Sequence, residues 1–332
     1  MLAQTLRAAH PDWEIHALLV DRPPEDVTEA FAPFDSVTEA RALGIPRFDA
    51  WLFRHELVEA CTAVKASMFR RLLEGGCEAV VYLDPDIAVF QGLHPILHAL
   101  EAASIVVTPH QTSPNADPGE ITDNELAALR YGIYNLGCLG VRADATGRAF
   151  AAWWEERLLA ACFDDPASGL FTDQKYCDLV PALFDGVHVE RDPGCNVASW
   201  NLSRRMLRFT PQGALLANGS PLGFYHFTKI GGAGDVMSDR HGGMIAAMEL
   251  IAWYRRALAR NEVEGFSARP WHYGMFSNGT PVPREARMLV RDRPALLDGI
   301  ADPLATGPGS FHEMLRCNHP ALPGIEPSGD PG

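Results

Sequence analysis

Positive charge is scarce in this chain, and its scarcity closes off one class of partner. Twenty-eight Lys and Arg stand against 42 Asp and Glu, a net charge of −14 over 332 residues. An excess of that sign repels a phosphate backbone, which argues against nucleic acid as a partner. Paired cysteines are missing too. Cys61, Cys77, Cys138, Cys162, Cys177, Cys195 and Cys317 form no Cys-x-x-Cys, and their number is odd. With no signal peptide at Met1, a reducing, cytoplasmic setting is expected. No uninterrupted apolar run reaches the ~20 residues needed to span a bilayer, so a soluble chain with no transmembrane segment follows, peripheral membrane contact being left open. No repeat occurs at solenoid spacing. What is present is ample apolar sequence, 47% of the chain, enough for one large or two modest domains.

The most informative stretch is Val80-Val81-Tyr82-Leu83-Asp84-Pro85-Asp86. An apolar, β-branched run bounded by Gly75-Gly76 and Pro85 suits a strand buried on both faces. Two carboxylates follow at i and i+2, a spacing that puts both on one side of an extended chain. At ~4 Å such charges repel by roughly 4 kcal/mol at an effective dielectric near 20. A divalent cation turns that conflict into a binding site. Asp-Pro-Asp is equally ordinary turn chemistry, but ligands of open α/β sheets sit beyond the carboxyl ends of strands, where these acids fall.

Taken in order, the chain opens in a helix (residues 1–10), followed by a strand over Glu14–Val20 and a surface connection to Ser36. Helices are expected over His55–Glu74, Leu93–Ala102, Ala145–Cys162, Thr172–Phe184 and Met244–Arg260, and one capped by Thr122 or Asp123 runs through Arg130. Further strands are expected over Ser104–Thr108, Gly132–Arg142, Val187–Glu190 and Phe224–Phe227. That alternation implies an α/β fold with a mostly parallel central sheet flanked by helices. Residues 1–235 form one domain, 236–320 a helical C-terminal extension, and 321–332 a disordered tail.

Lys65, Tyr82-Leu83-Asp84-Pro85-Asp86, Tyr134-Asn135-Leu136-Gly137, Asp173-Gln174 and His226, in that order, resemble the nucleotide-diphospho-sugar glycosyltransferases of the GT-A fold. The order is most similar to glycogenin and the bacterial lipopolysaccharide galactosyltransferases, over roughly residues 60–235. The family opens with a strand, and Met1 is expected to fall in the helix that follows it. The resemblance implies that Asp84, Asp86 and His226 hold Mn²⁺ or Mg²⁺ bridging the donor diphosphate, an imidazole tilting the site away from magnesium. It implies that Lys65, Asn135, Gly137, Lys229 and Gly232 bind the donor, although Lys229 precedes its glycines where the family's lysine follows them. Asp173 and Gln174 then lie beside the transferred sugar as the catalytic pair; Asn196, Trp200 and Asn201 are candidates for the acceptor side, with Trp200 equally read as a core residue.

The activity so implied is transfer of a hexose from a nucleotide diphosphate sugar to a hydroxyl of a glycan or other acceptor, with retention of anomeric configuration. Two alternatives stand beside it. One is a non-catalytic binding protein of the sugar-nucleotide fold, because fold does not fix function. The other is a phosphohydrolase of the haloacid dehalogenase type, which also sets Asp-x-Asp after a buried strand, though Ala88 occupies the place of its usual Thr or Val.

Overall fold

The computed structural model describes residues 1–23, 31–241, 245–263, 266–319, 322 and 325. It is an α/β structure with several small mixed sheets. The first helix, Leu2–Ala9, buries Ala3 and Leu6. It leads to β1 (His16–Leu19), which pairs in parallel with β2 (Ser36–Glu39). Residues 24–30 of the expected surface connection lie outside the described residues. The helix expected over His55–Glu74 is two, Leu57–Ala63 and Lys65–Glu74, broken at Val64. The second begins with five consecutive buried residues, Lys65 to Phe69. Helical spacing foretold its apolar face but not that Lys65 also faces inward.

β3 (Ala79–Leu83), β4 (Ile87–Val89), β5 (Ile105–Pro109) and β6 (Tyr134–Arg142) follow. The central sheet runs β3, β6, β5, then the Val187–Val189 strand. β6 is antiparallel to both its neighbours, and only β5 with Val187–Val189 pairs in parallel. The expected mostly parallel sheet is therefore corrected to a mixed one. The cause is local: residues 110–133 depart after Pro109 and return at Tyr134, and those two residues pair with each other. A connection that leaves and rejoins the same edge brings the chain back antiparallel, whereas parallel pairing needs a crossover to the opposite edge. β3 also departs from expectation. It pairs with β6 alone and is half-buried, while β5 is buried along its whole length.

Other boundaries moved for identifiable reasons. Asp117, not Thr122 or Asp123, caps the turns leading to Tyr131, its carboxylate accepting from the N–H groups of Gly119 and Glu120. The helix expected from Thr172 starts only at Lys175, because Thr172 takes φ 45°, outside the helical range. A three-stranded antiparallel sheet of Leu207–Phe209, Leu215–Ala217 and Ser220–Pro221 was not foreseen. The helix Ala145–Ala160 packs on Lys65–Glu74 through Phe150, Trp154 and Phe69, the Phe69 and Trp154 rings 5.9 Å apart.

Beyond residue 232 come helices Ala233–His241, Ile245–Asn261, Arg284–Asp292 and Phe311–Asn318. Met244 and most of 321–332 lie outside the described residues. The C-terminal part is tied to early residues. Trp271 Nε1–H donates to Val20 O at 2.7 Å, Arg287 to Phe53 O at 3.1 Å and Arg291 to Arg54 O at 2.6 Å. Among the described residues no helix is long and apolar enough to cross a membrane.

Candidate metal centre

Asp84-Pro85-Asp86 forms the turn from β3 into β4, so the turn and ligand readings coexist. The Asp84 N–H donates to Gly137 O at 2.8 Å, and the Ile87 N–H closes the turn on Asp84 O at 3.0 Å. The strand Phe224–His226 pairs antiparallel with β4, setting His226 opposite Ile87. The Phe227 N–H then donates to Asp86 O at 2.9 Å. This register carries the imidazole to the acids: Nε2 lies 2.9 Å from Asp86 Oδ1 and 3.6 Å from Asp84 Oδ2. One ligand atom from each residue lies within 4.8 Å of the others.

The β5–β6 register slips between Val107 and Pro109, leaving Asn135 to Cys138 bulged. There Asn135 Oδ1 lies 3.2 Å from His226 Nδ1 and also receives the Gly137 N–H and the Asn196 amide. A carboxamide oxygen only accepts, so Nδ1 carries a proton, and Nε2 is the nitrogen turned toward Asp86. A 2.9 Å approach of an imidazole nitrogen to a carboxylate is bridged by a proton or by a metal cation. Two carboxylates and an imidazole are a donor set suited to a divalent cation, so the residues present fit one. Gly137 makes the arrangement possible, because a Cβ there would sit 2.4 Å from His226 Cε1. The space left by its missing side chain is filled by the histidine ring. Trp200 meets that ring edge-on at 5.1 Å.

Behind the acids lies a buried ion-pair network that no local pattern announced. Lys65 Nζ is 2.9 Å from Asp173 Oδ2, 3.4 Å from Asp84 Oδ1 and 3.2 Å from Leu136 O, and it sits 4.1 Å from the centre of the Tyr82 ring. Tyr82 donates its hydroxyl to Asp84 Oδ1 at 2.6 Å. Burial alone would lower the Lys65 ammonium, but Asp173 and Asp84 hold its pKa well above the usual value. Burial raises the Asp173 carboxyl despite Lys65. For Asp84 the balance reverses: Lys65, His226 and Tyr82 outweigh burial and keep its carboxyl below the ordinary range. Lys65 is thus not the solvated lysine of an open helix face: Asp84 Oδ1 and Leu136 O accept from it and the Asp173 carboxylate lies beside it, all inside the protein.

The structure brings Asp84, Asp86, His226, Asn135, Gly137, Lys65, Asp173 and Gln174 together. Gln174 uses its amide to brace the bulge, accepting the Leu136 N–H at 3.2 Å and donating to Tyr131 O at 2.9 Å. Asn196, at φ 52°, and Asn201 form a scaffold, Asn201 donating to Asn196 O at 3.0 Å. Lys229 and Gly232 are exposed on the turn after His226, and Lys229 has no ion-pair partner among the described residues. A Cβ at Gly232 would meet only Lys229 O, at 3.8 Å, so sterics do not demand glycine there. A surface depression of about 560 Å³ lined by Asp117, Glu120, Asp123 and Arg240 shares no residue with the triad. Sequence reasoning missed Tyr82 as a site residue, although it stands two before Asp84, the same spacing that drew attention to Asp86.

No family model matches the chain. Two curated proteins of Bacillus subtilis (strain 168), both described as uncharacterized, are similar to it. YfnF is 29% identical over 173 residues, 51% of this chain and 56% of YfnF. YfnD is 25% identical over 227 residues, 65% of this chain and 68% of YfnD. The chain thus spans little more than half the length of YfnF.

Proposed function

We propose that the chain transfers a hexose from a nucleotide diphosphate sugar to a hydroxyl acceptor, a glycan or another hydroxyl compound, with retention and with help from Mn²⁺ or Mg²⁺, on a GT-A-like scaffold. The observation that carries this reading is the meeting of His226 Nε2 and Asp86 Oδ1 at 2.9 Å beside Asp84 Oδ2. Asp84, Asp86 and His226 would hold the cation, which supplies Lewis-acid stabilisation of charge on a departing diphosphate. Asp84, Asp86, Asp173 and Lys65 sum to two negative charges, the charge a divalent cation neutralises. Lys65 steadies Asp84 from behind. Asp173 is only 3% exposed and ion-paired, which suits an electrostatic part better than nucleophilic attack, for which an open approach is needed. Trp200, flanking His226, offers an aromatic wall for the acceptor.

The test is isothermal titration of nucleoside diphosphates with Mn²⁺ or with chelator, followed by assay of sugar release from the donor over hours. Binding should depend on Mn²⁺ and vanish in Asp86→Ala. Binding indifferent to chelator overturns the reading. Metal-dependent binding without sugar release leaves a binding protein, and phosphatase activity without nucleotide binding leaves a hydrolase.

A further inference from the structure

The two oxygens of Asp84 have different surroundings. Oδ1 receives the Tyr82 hydroxyl at 2.6 Å and lies 3.4 Å from Lys65 Nζ, whereas Oδ2 faces His226 Nε2 at 3.6 Å. We propose that Tyr82 is a positioning residue of the cation site: by pinning Oδ1 it reserves Oδ2 of Asp84 for the cation. The inference rests on the reading of Asp84, Asp86 and His226 as that site.

A carboxylate turns easily about its last side-chain bond, where the torsion is broad and roughly two-fold. An O–H···O⁻ bond of 2.6 Å lies in the strong, charge-assisted range and stops that rotation. Reach is set by the strand, because Tyr82 and Asp84 occupy positions i and i+2 and share one face. Lys65 over the ring adds two effects: it holds the aromatic plane, and its charge polarises the hydroxyl toward donation. Asp86, 38% exposed in its side chain, meets His226 Nε2 at 2.9 Å but receives no hydroxyl among the described residues.

Tyr82→Phe removes one oxygen and leaves charge and ring packing in place. Lys65→Met is less informative, since it strands Asp173. Mn²⁺ alone is the probe, its affinity measured by titration calorimetry and by electron paramagnetic resonance of the free ion, with thermal melting followed in parallel. Loss of an outer hydrogen bond to a metal ligand typically weakens binding by roughly 10–100-fold. That loss is expected in Tyr82→Phe, with recovery when 4-aminophenylalanine restores a donor at position 82. Tyr82→Met deletes the same donor if the phenylalanine variant does not fold. Wild-type affinity in a folded variant lacking the donor overturns the inference and leaves the cation site standing. If the wild-type chain itself binds no Mn²⁺, the cation site falls and the inference falls with it.

Discussion

Replacing Gly137 by alanine is the sharpest single perturbation of this site, because the added atom has a computable destination. Its Cβ would stand 2.4 Å from His226 Cε1, 2.7 Å from Nδ1 and 2.8 Å from Asn135 Oδ1. Ordinary carbon contacts begin near ~3.5 Å, so the ring has to retreat by about 1 Å. The retreat acts on the Nδ1 bond to Asn135, now 3.2 Å, and on the 2.9 Å approach of Nε2 to Asp86, and it breaks both. Overpacking of this kind costs about 1–3 kcal/mol of stability. Mn²⁺ affinity should fall at least tenfold, about 1.4 kcal/mol. Gly140→Ala on the same strand is the control. Its nearest neighbours are side-chain methyls, Leu100 Cδ1 at 3.1 Å and Ile96 Cγ2 at 3.3 Å, with no atom of the triad among them. Urea denaturation and Mn²⁺ titration of both variants decide the matter. A folded Gly137→Ala protein with wild-type Mn²⁺ affinity would refute the steric argument.

Other expectations follow from the buried charges. Lys65→Met leaves the Asp173 carboxylate buried without its cation and should cost about 3–5 kcal/mol in urea denaturation. The double variant Lys65→Met/Asp173→Asn should lose less than the sum of the single changes by ~1 kcal/mol or more, and additivity would show that the pair is not coupled. His55 is fully buried and donates Nδ1–H to Trp51 O at 3.0 Å, and burial pushes its pKa from 6.5 down to about 3. A depressed folded value means its contribution is intact above pH 6.5 and is lost as pH falls toward 3. Between pH 7 and 5 the wild type should therefore lose about 2 kcal/mol more than His55→Asn, whose amide can still donate. Parallel slopes for the two proteins would remove His55 from the acid response.

The acids were readable in the sequence because their relation is local. Two residues apart after an apolar run, Asp84 and Asp86 converge wherever that run ends, and the turn chemistry of Pro85 assists rather than competes. His226 depended on pairing across 140 residues, which a resemblance suggested and the β4 register delivers. The contact between Lys65 and Asp173 spans 108 residues and leaves no trace in spacing. Gly137 was correctly read as a place of close approach, but glycine names the space and not its occupant. Strand direction failed for a related reason. Alternating strands and helices suggest crossovers, yet nothing in residues 110–133 tells which edge of the sheet they rejoin. Thr172 broke its helix through a left-handed backbone that side-chain type does not encode.

The hydrogen bonds joining Trp271, Arg287 and Arg291 to Val20, Phe53 and Arg54 bear on how the molecule is assembled. During synthesis the stretch around Phe53 emerges early, yet its cover from Arg287 is translated 234 residues later. Until then that flank waits with its apolar side open, since the entropy of closing so long a loop is met only when the far partner arrives. Shortening the chain before residue 271 would thus strip these bonds from Val20, Phe53 and Arg54.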